Sequence, residues 1–228
     1  MSRGRTLRML LAHEGRWLAS LGLWAVRRRD GAGPAARGVH AFGYARAQAP
    51  LVLGFAFVCL VETVGMSFLL AEWPVVHGIM LVLDVYTVLM ALGLHAAAVT
   101  RPHLVGAGVL RVRNGARLDA VIPLALVATV RRDLRFPNGK PPAGVLEAAT
   151  GGQTSVTVEL SAPVTVVRRF MGAPEEVRTV RFHADDSRAA VTALREAAEA
   201  AREAAEETAR TAAGTVREAD AAPEPAAP

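Results

Sequence analysis

Two apolar runs separated by a four-residue break constrain this chain more than any other feature. Leu51 to Leu70 (LVLGFAFVCLVETVGMSFLL) and Val75 to Val99 (VVHGIMLVLDVYTVLMALGLHAAAV) are each about 20 residues or longer, the length a helix needs to cross a hydrocarbon layer roughly 30 Å thick. The connection of Ala71, Glu72, Trp73 and Pro74 is so short that the two helices must run antiparallel as a transmembrane hairpin over 51–99. Trp73 suits interfacial depth, and Pro74 suits a first helical turn. Nine arginines precede the hairpin against Glu14 and Asp30, Arg101 follows it, and the short loop has neither Arg nor Lys. The positive-inside rule then puts both chain ends in the cytoplasm and the loop outside.

The same asymmetry accounts for most of the net charge. The +5 divides into +7 over 1–50, −3 over 51–100, +4 over 101–186 and −3 thereafter, so the excess is topological and no nucleic-acid partner is expected. Lys140 is the single lysine, and the single cysteine, Cys59, lies inside the first apolar run, which leaves no intrachain disulfide and no CxxC metal site. The basic N-terminus has only a short apolar cluster, Met9 to Leu11, so no cleaved signal peptide is expected. At 228 residues there is room for one hairpin and one small soluble domain.

Residues 1–30 are expected to form an amphipathic interfacial helix, strongest over 5–29. Leu7, Leu10, Leu11, Trp17, Leu18, Leu21 and Trp24 recur at three- and four-residue spacing, away from Arg8, Arg16 and Arg27. An ordinary helix packed on the soluble domain or on a partner would show the same pattern. A linker over 31–50 follows, opened by GAGPAARG, with Phe42 and Tyr44 as interfacial aromatics leading into the membrane.

Past the hairpin the apolar period changes from 3.6 to 2. Val109 to Arg113 (VLRVR) alternates, Asn114 and Gly115 signal a type I′ hairpin, and Arg117 to Ile122 alternates back. Further strands are expected at Leu124 to Val130, Val145 to Ala149, Thr154 to Leu160, Val164 to Phe170 and Glu176 to His183, with turns at Ser161 to Pro163 and Met171 to Pro174. Asp185, Asp186 and Ser187 offer an N-cap for a helix starting near Arg188. The expected fold is a membrane α-helical hairpin plus a small antiparallel β domain over 103–195, a barrel or bent sandwich closed by a C-terminal helix. That helix should continue as an exposed extension over 196–218, supported by pairs such as Glu206 with Arg210, before a disordered acidic tail over 219–228.

This order of parts resembles bacterial membrane-anchored proteins with a pleckstrin-homology-like domain. LRVRNG followed by VIPLALVATV is similar to the strand, Gly turn, "IP" and next strand of such domains. RPHLVGAGVLRVRNG, GGQTSVTVELSAPVTVVRR and VRFHADD together resemble a group of two-span integral membrane proteins from high-GC bacteria, over roughly residues 40 to 195. The resemblance implies a PH-like cytoplasmic domain at a bacterial inner membrane, in a group without an established activity. None of its motifs defines a reaction, and no cofactor or metal is expected.

Glu62 and Asp84 are the sharpest chemical feature. Each lies about ten residues from the turn, so both sit roughly 15 Å deep at matching levels on adjacent helices. Carboxylates there are costly to ionise and mark a functional site by default. Three readings stay open. Protonated acids bonded to one another or to Thr63, Ser67, Tyr86 or Thr87 would glue the hairpin or a homo-oligomer together, as would close approach at Gly54 and Gly65. An oligomer could instead conduct protons or cations through them, or they could face a membrane protein partner. His77, Asp84 and His95 share one helix face, with the histidines too far from Asp84 to ligate one ion with it.

Arg111, Arg113, Arg131, Arg132 and Arg135 are candidate lipid-headgroup contacts, with a solvated basic face as the plainer reading; Arg117 adds to the same charge. His183, Asp185 and Asp186 adjoin one another, but capping accounts for the acids, and the chain has no GxSxG, HExxH, P-loop or GxGxxG. No enzyme is expected. The expected role is membrane-proximal interaction or scaffolding, with the lipid bilayer as the first partner.

Overall fold

The computed structural model describes residues 15, 18–26, 38–115, 117–167 and 174–220, the last eight by backbone alone. Most of the N-terminal helix and the start of the linker fall outside these residues, as do 168–170 of one expected strand and 221–228 of the tail. Within them, 18–25 is helical, with Leu21 half-buried, and 219–220 still belong to the C-terminal helix.

Strand β1 (His40–Phe42) comes first, then helices α1 (Ala49–Leu69) and α2 (Pro74–Thr100). Both helices begin with proline in the first turn, where its missing N–H leaves no helical bond unmade. Each is long and apolar enough to cross a membrane, and only 6% of the most apolar window of either is buried. A helix in a soluble core would be largely covered. The last two turns of α2 differ from the rest, because Ala91, Gly93 and the run from His95 to Ala98 are buried.

Beyond the hairpin come β2 (His103–Gly106), β3 (Val109–Asn114), β4 (Leu118–Pro123), β5 (Val127–Arg135), β6 (Val145–Ala148), β7 (Thr154–Val167), β8 (Pro174–Phe182) and α3 (Ser187–Asp220). They form two four-stranded sheets, ordered β1-β2-β3-β4 and β5-β7-β8-β6. Inward residues of both, including Leu110, Val112, Ile122, Val156, Val180 and Phe182, make one core. Ala190, Val191, Leu194 and Ala198 of α3 close it at helical spacing. Arg195 fastens the helix by donating from Nε and Nη2 to the Val130 carbonyl at 3.1 and 2.8 Å. From Glu203 to Ala212 the helix is exposed, with Glu206 and Arg210 3.3 Å apart.

Several expectations are corrected. Residues 40–42, expected within a linker, are a strand paired with β2 in the register His40↔Val105 and Phe42↔His103. The β domain therefore begins before the hairpin, which is inserted between two neighbouring strands. Asn114 pairs with Leu118, so the turn spans 115–117 and is one residue longer than the type I′ expectation; Gly115 there has φ +52. Leu124 to Leu126 is a 3-10 turn, and the strand after it runs on to Arg135.

The expected turn at Ser161 to Pro163 is absorbed into β7. The register against β8 shifts between Glu159 and Val164, and the pairing with β5 stops at Leu160, so the N–H that Pro163 lacks costs no ladder bond. The expectation of purely antiparallel strands fails at one pair. Because β7 occupies the place between β5 and β8, β6 lies on the far edge and runs parallel to β8.

Candidate functional site

Burial along the hairpin identifies its seam. On α1 the less exposed positions are Val52, Ala56, Cys59, Thr63, Met66 and Ser67; on α2 they include His77, Met80, Asp84, Thr87 and Val88. Asp84 therefore lies on the seam, whereas Glu62 is exposed on the outer face of α1. Among the described residues no hydrogen bond or ion pair joins the two acids to each other or to a third group.

The hydroxyls near them are otherwise engaged. Thr63 donates to the Cys59 carbonyl, Ser67 to that of Thr63 and Thr87 to that of Leu83, each at 2.8 Å. A polar contact that crosses the hairpin joins His77 Nε2 and Ser67 Oγ at 3.1 Å, near the loop. His95, at the other end, meets the edge of the Trp24 ring with centroids 5.9 Å apart. A Cβ built on Gly54 or Gly65 would meet open space, so these glycines do not serve the packing of α1 on α2.

The five arginines do not form one basic patch. Arg111 holds Asp119 bidentately at 2.5 and 2.7 Å. Arg113 is only 3% exposed, with Nε 3.7 Å from the same carboxylate, so it belongs to the interior and not to a headgroup surface. Arg131 binds Glu159 at 2.8 Å and Arg135 binds Asp133 at 2.6 Å. The hydrogen bond from Arg135 holds the Asp133 carboxyl below its ordinary range. Arg132 is exposed and has no acid partner among the described residues.

Sequence reasoning missed a buried polar knot at the base of the hairpin. Tyr44, from before α1, is fully buried against His103 of β2, ring centroids 4.6 Å apart, and His103 meets Phe182 at 4.8 Å. His103 Nδ1 accepts from the Arg113 backbone N–H at 3.1 Å, so the proton is on Nε2, which donates to the His183 carbonyl at 2.9 Å. Burial pushes its pKa down to about 3, and the ring is neutral. Burial likewise pushes the Tyr44 phenol up to about 12, and its oxygen accepts from Gly115 N–H at 2.7 Å.

The acids after β8 divide their work. Asp186 caps α3 by accepting from Ala189 N–H at 2.9 Å, as the sequence suggests. Asp185 instead grips the segment before the hairpin: its N–H donates to the Gly43 carbonyl at 2.8 Å and its Oδ1 accepts from Arg46 N–H at 3.2 Å. Asp185 Oδ1 also lies 3.8 Å from His183 Nε2. Burial lowers the His183 pKa, against a smaller opposing pull from the Asp185 carboxylate.

No pattern of spacing announces the knot, because its members come from four separated stretches of chain. Among the described residues no three His, Cys, Asp or Glu side chains converge to hold a metal ion. What the fold defines is an apolar two-helix hairpin inserted into, and clamped by, a double-sheet β domain. No protein family, curated protein or solved structure matches the chain.

Proposed function

We propose that this chain is an integral membrane protein of two spans that presents a PH-like domain on the cytoplasmic side of a bacterial inner membrane, for membrane-proximal interaction or scaffolding. The observation that carries this reading is the pairing of β1 with β2 across the inserted hairpin. A domain tethered by a flexible linker could swing away from the bilayer; one whose edge strand precedes the spans and whose next strand follows them is held at the hairpin base. Two sheets closed by a C-terminal helix support the PH-like part, and the arginine asymmetry supports cytoplasmic ends. The reading assigns no reaction to the protein.

In-cell crosslinking through residues 103–195 tests the reading and is expected to recover one specific protein partner. Recovery of lipid alone, or of nothing, would count against scaffolding. An oligomeric reading is favoured by one observation: Glu62 is exposed on α1 with no partner among the described residues, and a second copy or another membrane protein would cover it. The conducting form of that reading requires ion flux in reconstituted vesicles that Glu62→Gln or Asp84→Asn abolishes.

A further inference from the structure

A cleft of about 220 Å³ opens at the base of the hairpin, where the turn between β3 and β4 approaches the ends of both helices. One wall is polar, formed by Gln48, Asn114, Gly115 and Arg117. The other is apolar, formed by Val52, Leu94 and Ala98, and Leu51 and Leu53, the neighbours of Val52 in α1, are exposed.

Three features aim positive potential or unused hydrogen-bonding capacity at this space. Arg117 is exposed and has no acid partner among the described residues. The N-terminus of α1, a 21-residue helix, starts at Ala49 with Pro50 in its first turn and no side-chain cap from Gln48, so the positive end of its dipole lies at the cleft. His95 lines the cleft while only 5% exposed and makes no hydrogen bond among the described residues. A buried polar group is ordinarily satisfied, so one left unpaired at the wall of a cleft points to a missing partner.

We propose that this cleft binds the phosphate headgroup of an anionic membrane lipid, with Arg117 and Gln48 donating to the phosphate, His95 closing the inner wall and the acyl chains lying along α1. A free phosphate shares the headgroup chemistry but leaves the apolar wall unused. Helix length agrees with the depth. From Pro74, about 20 residues span the hydrocarbon and bring the chain to the level of Leu94 and His95, where headgroups lie. The site rests on the hairpin crossing the bilayer.

The test uses the full chain in nanodiscs of phosphatidylcholine titrated with phosphatidylglycerol, counting retained lipid by native mass spectrometry. Wild type is expected to retain one phosphatidylglycerol in preference to phosphatidylcholine, and Arg117→Gln to weaken that retention about tenfold, the scale of one charge-assisted hydrogen bond. Arg210→Gln, an exposed arginine on the far part of α3, should leave it unchanged, and His95→Phe, which keeps a ring against Trp24, should weaken it. Equal retention of the two lipids, or equal loss in Arg117→Gln and Arg210→Gln, overturns the site. Displacement of the bound lipid by millimolar inorganic phosphate overturns the lipid assignment. A chain that does not enter the nanodisc overturns the membrane reading itself.

Discussion

The backbone N–H of Gly115 donates to the Tyr44 hydroxyl at 2.7 Å, across 71 residues that include the entire hairpin. The bond ties the approach to α1 to the β3–β4 turn. Tyr44→Phe keeps the ring stacked on His103 but leaves a donor unpaired, and should cost about 1–2 kcal/mol of stability. Tyr44→Ala also empties a buried site and should cost about 3–5 kcal/mol. Unfolding of the detergent-solubilised protein, followed by near-UV circular dichroism, would separate the two; no loss in Tyr44→Phe would show that the hydroxyl contributes nothing.

Acid should loosen the domain through His103. Its folded pKa of about 3 lies below the ordinary value of 6.5, so below pH 6.5 the unfolded chain takes up a proton that the folded chain refuses. Stability is then full above pH 6.5 and falls as pH drops toward 3, by at most about 1.4 kcal/mol per pH unit for this group. His183 is lowered too and acts in the same direction. Tyr44 has the opposite edge: stability is lost as pH rises from 10 toward 12. Thermal midpoints at pH 7, 6 and 5 test the acid limb, which should flatten in His103→Gln.

Two glycines of the β2–β3 turn should respond differently to alanine. Gly106 has φ +144, and an added Cβ would run into the Gly38 carbonyl oxygen and lie 2.9 Å from Val39 Cα, so Gly106→Ala must push β1 off β2. Gly108 has φ +74 with open space around it, and alanine there meets only the backbone preference. Gly108→Ala should cost about 1 kcal/mol and Gly106→Ala at least about 2 kcal/mol. Hydrogen exchange at residues 104–106 would report the loss of β1 pairing in the second variant alone.

Glu62 and Asp84 should separate by what they contact. Glu62→Leu removes an acid with no partner among the described residues, so protein level and helix content should match wild type while the oligomer or partner complex dissociates. Asp84→Leu alters the seam between α1 and α2 and should shift hairpin stability by about 1–2 kcal/mol within a single copy. Collapse of Glu62→Leu before assembly would show instead that the acid holds the hairpin itself.

Features that depend on neighbours along the chain were legible from the residues. The apolar length of 51–70 and 75–99, the period-2 alternation after Val109, the Asp186 cap and the exposed end of α3 all reflect backbone hydrogen bonding or side-chain periodicity within one element. Part of the candidate site was legible in the same way: Glu62 and Asp84 stand out because a carboxylate is costly in an apolar helix wherever it points. Which way each points was not legible, since 3.6-residue periodicity leaves the seam undetermined until the second helix is in place.

By itself, then, the sequence determined that there is a two-helix hairpin, a run of strands and a closing helix, because each is set by local pattern. Tertiary structure alone decided that three residues ahead of the hairpin complete a sheet, that β6 runs parallel to β8, and that Arg113 lies inside while Arg131 and Arg135 pair with acids on the surface. It also brought Tyr44, His103, Arg113 and Asp185 to the base of the hairpin. The physical reason is that a buried polar group must find a partner wherever the fold offers one, and such partners are neighbours in space at sequence separations no local pattern encodes.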